Sequence, residues 1–354
     1  MKKHKFLFHI PQPTTIYAGR YILNGYKNTI LMMGHDFKLI SAETENQEKE
    51  IDNFQPDIIF FGMNRYSIKF LDQKAILKAK KNHNAKIFIN NPLWRSPLSK
   101  VRINETRSLE DDSYLVDIIK SGIGDIYYNV CEQGDPRMEG FEKATGYKHY
   151  TIPLAADDKT IFPEYSERFK ADISFIGTYL PEKRPFFEER VFPLKKNYNL
   201  RLYGQDWTFS DRIFGWVQKG GQYFNIPYLK SFRKPKLQLD DERKIYNSSL
   251  VSINVHEEYQ RRFGGDCNER TFKIPLAGGF EITDDVACIR KYFKEGEEIV
   301  IAKDKDDWFD KINYYMKNPE KRIKIIEAGK RRVLKDHTYK NRVEKIIGIY
   351  NLIK

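Results

Sequence analysis

The run 268–279, Asn-Glu-Arg-Thr-Phe-Lys-Ile-Pro-Leu-Ala-Gly-Gly, holds residue types that can bind an anion. Asn268 can cap a helix whose first turn carries Arg270 and Thr271, so that free backbone N–H groups, a guanidinium and a hydroxyl converge. Arginine suits phosphate because its planar fork donates two parallel hydrogen bonds. The two closing glycines then turn the chain back toward a strand. A capped helix with a surface arginine has the same composition, and composition favours neither interpretation.

A second group of the same kind follows an apolar stretch at 172–176. Gly177 and Thr178 come after it, and Lys183 and Arg184 begin the next helical segment. A glycine turn at the start of a helix close to cations can hold a diphosphate. A solvated helix end explains the two cations equally well.

Three residues that could act as a general acid or base lie after predicted strands. His9 follows the first strand, Glu132 follows a strand at 125–130, and His256 follows a strand at 250–255. Such side chains can take a proton from an acceptor hydroxyl. A packing or hydrogen-bonding role is more common for each of them, so they are candidates only.

Strands must bring these residues together, and the apolar pattern predicts two sets of strands that alternate with helices. The first set covers 6–10, 37–41, 57–62, 86–90, 125–130 and 150–154, and the second covers 172–176, 199–203, 250–255, 279–283 and 298–302. This alternation predicts an α/β fold of two doubly wound, Rossmann-like domains that face each other across a cleft. Ligands of such sheets bind outside the carboxyl ends of the strands.

Length and composition agree with this organisation. At roughly 150 residues per domain, 354 residues suggest two domains, which we place at 1–155 and 156–336, with a last helix at 337–354. Apolar residues make up 40% of the chain, which excludes a disordered protein. No apolar run approaches the roughly 18–20 residues of a membrane-spanning helix. Three cysteines without a CxxC pair argue against a disulfide framework or zinc site, so we expect a cytoplasmic protein.

The chain is basic, with 61 Lys and Arg against 49 Asp and Glu and a net charge of +12. Nucleic acid, an anionic membrane and phosphorylated ligands all suit this charge. The excess is spread over both halves, which argues against a nucleic-acid-binding arm. An aromatic and basic segment at 208–240 is predicted to be an inserted hairpin or loop that packs its aromatics on the domain. An acceptor-binding or membrane-surface element is the alternative.

Several segments together resemble glycosyltransferases related to the spore-maturation protein CgeB, within the group 1 glycosyltransferases. One is 268–284, Asn-Glu-Arg-Thr-Phe-Lys-Ile-Pro-Leu-Ala-Gly-Gly-Phe-Glu-Ile-Thr-Asp. The others occur in the same order as in the family, at 152–157, 172–178, 202–207, 245–254, 293–300 and 337–342. The resemblance covers most of 150–345, whereas residues 1–149 fit only in their strand pattern.

The resemblance implies a GT-B fold, in which the N-terminal domain holds an acceptor, the C-terminal domain holds a nucleotide-sugar donor, and the last helix returns toward the first domain. It also implies a reaction without a metal or cofactor, in which Lys183, Arg184 and Arg270 offset the charge of the leaving diphosphate. By position, Tyr203, Gly204 and Tyr246 would line the nucleoside. The full set of predicted donor-binding residues is Gly177, Thr178, Lys183, Arg184, Tyr203, Gly204, Tyr246, Asn268, Glu269, Arg270, Thr271 and Gly279.

The chain departs from the family pattern at Lys273, where group 1 enzymes usually have a Glu that can bind ribose hydroxyls. A Lys cannot accept those hydrogen bonds. Ribose recognition would then fall to Glu269, or the pocket holds its donor differently.

The predicted function is transfer of a sugar from a nucleotide-sugar donor to a glycan or glycoconjugate acceptor, in glycan biosynthesis. A sugar-nucleotide epimerase with the same two domains is one alternative, and a nucleic-acid-binding protein is another. We expect no nucleic-acid partner. Peripheral contact through 208–240 would place the cytoplasmic protein at the inner face of the membrane.

Overall fold

The computed structural model describes residues 2–14, 18–95 and 108–353. The chain divides into two compact units. The first consists of Met1–Pro153 together with Arg342–Lys354, and the second of Leu154–Asn341.

The first unit contains a six-stranded parallel sheet with the strand order β2-β1-β3-β4-β5-β6. Its central strands are buried, as the apolar β3 segment Ile-Ile-Phe-Phe-Gly requires, because helices cover both faces of a parallel sheet. The strands are β1 (Lys5–His9), β2 (Asp36–Ile40), β3 (Ile58–Gly62), β4 (Lys86–Asn90), β5 (Ile126–Asn129) and β6 (His149–Thr151). The helices are α1 (Gly19–Met32), α2 (Gln47–Phe54), α3 (Arg65–Lys69), α4 (Gln73–His83), α5 (Ser113–Lys120) and α6 (Phe141–Thr145).

The second unit contains a five-stranded parallel sheet with the order β11-β10-β9-β7-β8. Its strands are β7 (Ala171–Ile176), β8 (Leu200–Tyr203), β9 (Ser249–Asn254), β10 (Glu281–Asp284) and β11 (Val300–Ala302). The helices are α7 (Arg184–Phe186), α8 (Phe209–Tyr223), α9 (Pro227–Lys230), α10 (Asp241–Ser248), α11 (Glu258–Phe263), α12 (Arg270–Leu276), α13 (Ile289–Tyr292), α14 (Lys305–Lys317) and α15 (Pro319–Asp336). The last helix, α16 (Tyr339–Ile353), begins at the end of this unit and belongs to the first unit from Arg342 onward.

Helix α7 is part of a longer irregular helical segment. A 3₁₀ turn, Pro181–Lys183, leads into it, and a π turn, Phe187–Val191, follows. The Trp308 indole donates a hydrogen bond of 3.1 Å to the carbonyl of Arg190, so this interruption leaves that buried carbonyl satisfied. The segment holds Lys183 directly after the loop that leaves β7.

The end of α16 packs within the first unit. Arg342 donates from Nε to the carbonyl of Pro153 at 2.9 Å, and the Tyr350 ring meets the edge of the His4 ring with centroids 5.2 Å apart. These contacts tie 342–353 to the six-stranded sheet.

The prediction of an α/β fold with two parallel sheets is confirmed. The prediction for 208–240 is wrong, because this segment forms α8 and α9 and leaves its aromatics exposed. Phe209 and Trp216 are each 67% exposed, and Tyr228 is 73% exposed. Small and polar residues, Gly215 and Gln218 among them, occupy the buried face of α8 instead.

Candidate functional site

The strand order of the second sheet creates a crevice at one position. Strand β7 lies between β8 and β9, so the chain leaves β7 on one side of the sheet and returns on the other. In open α/β sheets, this reversal of strand order is where ligands bind, beyond the carboxyl ends of the strands. Gly177 follows β7 at this edge, and Val255 follows β9.

Two cations converge on the backbone at this reversal. The Lys183 ammonium donates to the carbonyl of Val255 at 3.1 Å, and Nη2 of Arg270 donates to the same carbonyl at 3.0 Å. Among the residues that the structure describes, no carboxylate lies within ion-pairing distance of either side chain. Lys183 is only 4% exposed. The two positive groups therefore meet at one carbonyl without a direct ion pair, although the more distant charges of Glu257 and Asp284 act on Lys183.

The electrostatics of Lys183 reflect this arrangement. Burial, and next the neighbouring charge of Arg270, lower the pKa of the ammonium to about 7. Arginine keeps its charge in proteins, so it cannot relieve the repulsion by losing a proton. An anion placed between the two side chains would supply the missing counter-charge.

The side chain of Asn254 positions the Arg270 guanidinium through a buried hydrogen-bond network. Its Oδ1 accepts from Nε of Arg270 at 3.0 Å and from Nδ2 of Asn268 at 2.9 Å. Its Nδ2 donates to Thr271 at 3.1 Å and to Oε1 of Glu281 at 2.8 Å. Burial raises the pKa of Glu281 to about 8, so this carboxyl is largely protonated at neutral pH and adds little negative charge beneath the cations.

Asn268 acts somewhat differently from the prediction. Its Oδ1 accepts from the backbone N–H of Arg270 at 3.0 Å, but the helix begins at Arg270, and Glu269 is its cap residue. The predicted cap is therefore one residue too early, and Asn268 instead bonds to the first N–H group of α12 and to Asn254.

Glycines close the loops next to the cations. Gly204 has a φ of +114°, and a Cβ on it would overlap the carbonyl of Gly177. A Cβ on Gly177 would lie 3.3 Å from Nη1 of Arg270 and 2.7 Å from the Phe175 ring. The loops after β7 and β8 thus touch through their backbones, which keeps side chains out of the space beside Arg270.

Arg184 provides a third cation near these loops. Its guanidinium lies 5.5 Å from the centroid of the Tyr179 ring, which stacks on Trp207 at 4.8 Å. Its buried Nε has no hydrogen-bond partner. Thr178 lies in the same loop and accepts from the backbone N–H of Leu180 at 3.0 Å.

The other predicted donor-binding residues are more scattered. Tyr203 ends β8, and its ring meets the edge of Phe169 at 6.1 Å. Tyr246 lies on α10 and is 1% exposed. Gly279 precedes β10, at the other edge of the sheet, where a Cβ would lie 2.9 Å from the carbonyl of Tyr246. Tyr246 and Gly279 thus lie against each other, and their roles in donor binding stay predictions.

Lys273 lies in a buried cluster with two glutamates. Its ammonium donates to Glu242 at 2.7 Å and to Glu269 at 2.8 Å. Burial raises the pKa of Glu269 despite the neighbouring Lys273 charge. The cluster has two carboxylates for one ammonium, so the carboxylate of Glu269 retains accepting capacity beyond Lys273.

His256 is fully buried beneath the same site. Its Nδ1 donates to Asp284 at 2.6 Å, and its Nε2 lies 3.3 Å from Oγ1 of Thr271. Burial lowers the pKa of this imidazole, whereas His256 and Arg261 outweigh burial and hold the pKa of Asp284 at about 2. Because Asp284 and Thr271 occupy both nitrogens of this buried imidazole, His256 is better suited to positioning neighbouring groups than to contact with a substrate.

His9 and Glu132 lie in the first unit. Nε2 of His9 lies 3.1 Å from the carbonyl of Phe70, and burial lowers the pKa of His9 to about 4. Glu132 follows β5 and is half-buried. Their roles in the reaction stay predictions.

The described part of the chain contains neither a metal-binding cluster nor a membrane-spanning helix. No group of three or more His, Cys, Asp or Glu side chains is placed to hold a metal ion. Within 2–14, 18–95 and 108–353, no helix combines the length and apolar character needed to cross a membrane.

Residues 184–348 match the family described as glycosyl transferase-like. A comparison with curated proteins finds none that matches. The matched range begins at the third cation of the site and includes the whole of the 268–279 run.

Solved structures share the architecture of the entire chain. Sucrose-phosphate synthase from Thermosynechococcus elongatus aligns with a TM-score of 0.62 and 10% identity over 99% of both chains. An alpha-glucosyltransferase in complex with UDP and a 13-mer DNA aligns at 0.64 and 9% identity, over 99% of this chain and 100% of its own. The catalytic domain of starch synthase IV from Arabidopsis thaliana, bound to ADP and acarbose, aligns at 0.61 and 11% identity over 99% of both.

These likenesses show that the chain has the GT-B fold. The matched region and the fold together support a glycosyltransferase as the enzyme class of this chain.

Sequence reasoning missed Asn254 and Val255 as site residues. Asn254 ends β9 and Val255 follows it, so the strand-end rule could have found both. His256, one residue further along, drew attention instead because an imidazole is the more familiar acid–base group.

Proposed function

We propose that this chain transfers a sugar from a nucleotide-sugar donor to a glycan or glycoconjugate acceptor, as a CgeB-like member of the group 1 glycosyltransferases. The observation that carries the proposal is the convergence of Lys183 and Arg270 on one carbonyl without a direct ion pair from any described residue to either side chain. A diphosphate is an anion of suitable charge for two such cations. The UDP and ADP named with two of the similar structures contain that group.

The same cations would assist the reaction. As the bond between the sugar and the diphosphate breaks, negative charge grows on the leaving phosphate. Fixed positive groups that already point at this charge lower the barrier more than mobile water does. Arg184 would add a third positive group from the loop after β7. With these charges in place, we propose that the reaction needs no resident metal ion or cofactor.

We propose that Glu269 binds the ribose hydroxyls of the donor. Lys273 is a donor only, so it cannot take the role of the Glu usual at its position. Support comes from the buried Lys273 pair, which leaves the Glu269 carboxylate with lone pairs to accept further hydrogen bonds. Tyr203 and Gly204 would border the nucleoside.

We propose that the first unit binds the acceptor. In a retaining reaction the leaving diphosphate can itself take the proton of the acceptor hydroxyl. In an inverting reaction, His9, Glu132 and His256 are the candidates for the base. Glu132 is the most accessible of these three side chains, because it is half-buried and both histidines are buried.

A thermal-unfolding screen tests the donor proposal. The full chain is heated with UDP-, GDP-, ADP-, CDP- and dTDP-linked sugars, with and without EDTA, and with double-stranded DNA. A ligand that binds only the folded state raises the unfolding midpoint. We expect one nucleotide family to do so, unchanged by EDTA. Stabilisation by DNA alone would contradict the proposal.

The stabilising donor is then incubated with the enzyme and candidate acceptors, and products are identified by mass spectrometry. Transfer to an acceptor supports the proposal. Acceptor-independent conversion of the donor to its epimer would instead identify a sugar-nucleotide epimerase.

A further inference from the structure

Helix α8 has its polar face inside and its apolar face outside. The buried positions are Asp211, Gly215, Gln218 and Gly221. Besides Ser210 and Lys219, the exposed side chains along the helix are aromatic or aliphatic: Phe209 is 67%, Ile213 38%, Phe214 44%, Trp216 67% and Tyr223 49% exposed. This distribution is the reverse of the one expected for a surface helix.

Four of the exposed residues form one stripe, and Phe214 lies outside it, where its ring meets the edge of Phe232 at 5.5 Å. Positions 209, 213, 216 and 223 are separated by four, three and seven residues, and at 100° per residue they fall within an arc of about 80°. Phe224, 67% exposed, and Tyr228, 73% exposed, continue the apolar surface beyond the end of the helix. We call the surface formed by 209, 213, 216, 223, 224, 226 and 228 the aromatic face.

The aromatic face is held in place by buried polar contacts. Arg233 is 4% exposed and donates to Asp211 at 3.1 Å and to Asp206 at 2.6 Å. Gln218 donates to the carbonyl of Lys230 at 2.9 Å. A Cβ on Gly221 would overlap Leu229, so α8 and α9 pack through their backbones. The packing of α8 against α9 therefore keeps the aromatic face exposed.

The charge around the aromatic face is almost entirely positive. Between 208 and 236 there are six Lys or Arg residues and one carboxylate, Asp211. That carboxylate is buried and already bound to Arg233 and Lys236. Lys219 and Lys234 are exposed. An anionic partner is therefore complementary to this surface.

We propose that the aromatic face docks on an anionic phospholipid surface, with Trp216 and Phe224 inserted among the headgroups. Trp and Tyr favour the membrane interface, while Ile213 and Ile226 bury aliphatic area that nucleobases could not stack on. Neighbouring Lys and Arg add attraction to acidic headgroups. This proposal is independent of the donor site, since it rests only on 208–236.

Vesicle flotation with the full chain tests the docking. The vesicles contain phosphatidylglycerol and phosphatidylcholine in equal parts, or phosphatidylcholine alone. We expect binding to the anionic vesicles only, and a loss of about tenfold in the partition coefficient for Trp216→Ala/Phe224→Ala. Tyr165→Ala/Ile323→Ala is the control, because Tyr165 and Ile323 are 57% and 55% exposed elsewhere on the second unit.

A second variant, Lys219→Glu/Lys234→Glu, keeps the test valid if the aromatic variant fails to fold, and it should also abolish anionic binding. Equal binding to both vesicle types, or unchanged binding of both variants, overturns the proposal. So does a wild-type chain that ignores vesicles but binds single-stranded DNA through the aromatic face. A wild-type dimer that Trp216→Ala/Phe224→Ala converts to a monomer, without vesicle binding, overturns it in favour of a second copy.

Discussion

At the residue scale, Lys183 is a buried ammonium that forms no direct ion pair with any described residue and is repelled by the like charge of Arg270. Its hydrogen bond to Val255 compensates part of the lost hydration, but Arg270 shares that carbonyl. Burying a charge without a counter-ion costs folding free energy, and this cost persists until a ligand supplies the opposite charge. The site thus lowers the stability of the free protein and favours the binding of an anion.

Replacing Lys183 with methionine should separate these two effects. Lys183→Met keeps the aliphatic packing, and Arg270 still donates to the Val255 carbonyl, so we expect the free energy of unfolding to rise by about 1 kcal/mol or more at pH 7. Stabilisation by the nucleotide should become smaller, because one of the two converging cations is gone. Urea unfolding with and without the nucleotide measures both, and the exposed Lys321→Met on α15 serves as the control.

The pH dependence of stability tests whether the charge of Lys183 is buried at a cost in folding free energy. The folded pKa of Lys183, about 7, lies below the ordinary value of 10.5, so between these pH values the unfolded chain binds a proton that the folded chain does not. Wild-type stability should therefore gain on Lys183→Met as pH rises from 7 to 10. Parallel pH profiles of the two proteins would show that Lys183 is not buried as a strained cation.

The sequence predicts some residues of the site but not the buried residues that hold them in position. Lys183, Arg270 and Asn268 follow from helix starts and strand ends. Asn254 and Glu281 lie on different strands, and their contact depends on β9 and β10 being neighbours, which no local pattern specifies. Burial also decides that Glu281 is largely protonated, and burial is a property of the assembled sheet.

At the element scale, the ends of β7, β8 and β9 position the cations. The register of β7 with β8 pairs Ile176 with Tyr203, so Gly177 and Gly204 leave the sheet side by side. Arg270 can lie beside them because neither has a side chain.

Gly204→Ala should disturb this arrangement. The φ of +114° disfavours any L side chain, and the new methyl would displace the Gly177 carbonyl. We expect a loss of about 1–3 kcal/mol in the free energy of unfolding, together with weaker nucleotide binding. Gly220→Ala is the matched control, since nothing lies within 4 Å of its Cβ, and it should gain up to about 1 kcal/mol. Equal effects of the two substitutions would contradict the close approach of the loops.

Helix α8 shows where sequence patterns stop being informative. Its aromatic residues recur with helical spacing, and such a stripe ordinarily packs inside a domain. Here the partner is α9, which packs on Gly221 and accepts a hydrogen bond from Gln218, while Arg233 from the segment after α9 binds Asp211. Periodicity predicts that one face differs from the other, but the neighbouring element decides which face is buried.

At the scale of the whole molecule, two parallel sheets divide the chain between them. The strand pattern predicts both sheets because parallel strands covered on both faces are continuous apolar runs, and the runs at 57–62 and 172–176 are clear examples. The order of strands within each sheet follows from packing and handedness rather than from any single run. The net charge of +12 does not identify a binding site in the sequence. The structure does so, because Lys183 and Arg270 converge on the Val255 carbonyl at the carboxyl ends of β7 and β9.

Isothermal titration of the full chain with the nucleoside diphosphate chosen by the screen tests the central claim most directly. We predict that Arg270→Ala raises the Kd about tenfold or more and that adding Lys183→Met abolishes measurable binding, because two charge-assisted contacts are lost. The exposed Arg331→Ala on α15 should bind like the wild type. An unchanged Kd in a folded Lys183→Met/Arg270→Ala protein would contradict the account, and unfolding of Arg270→Ala itself would make Arg270 structural.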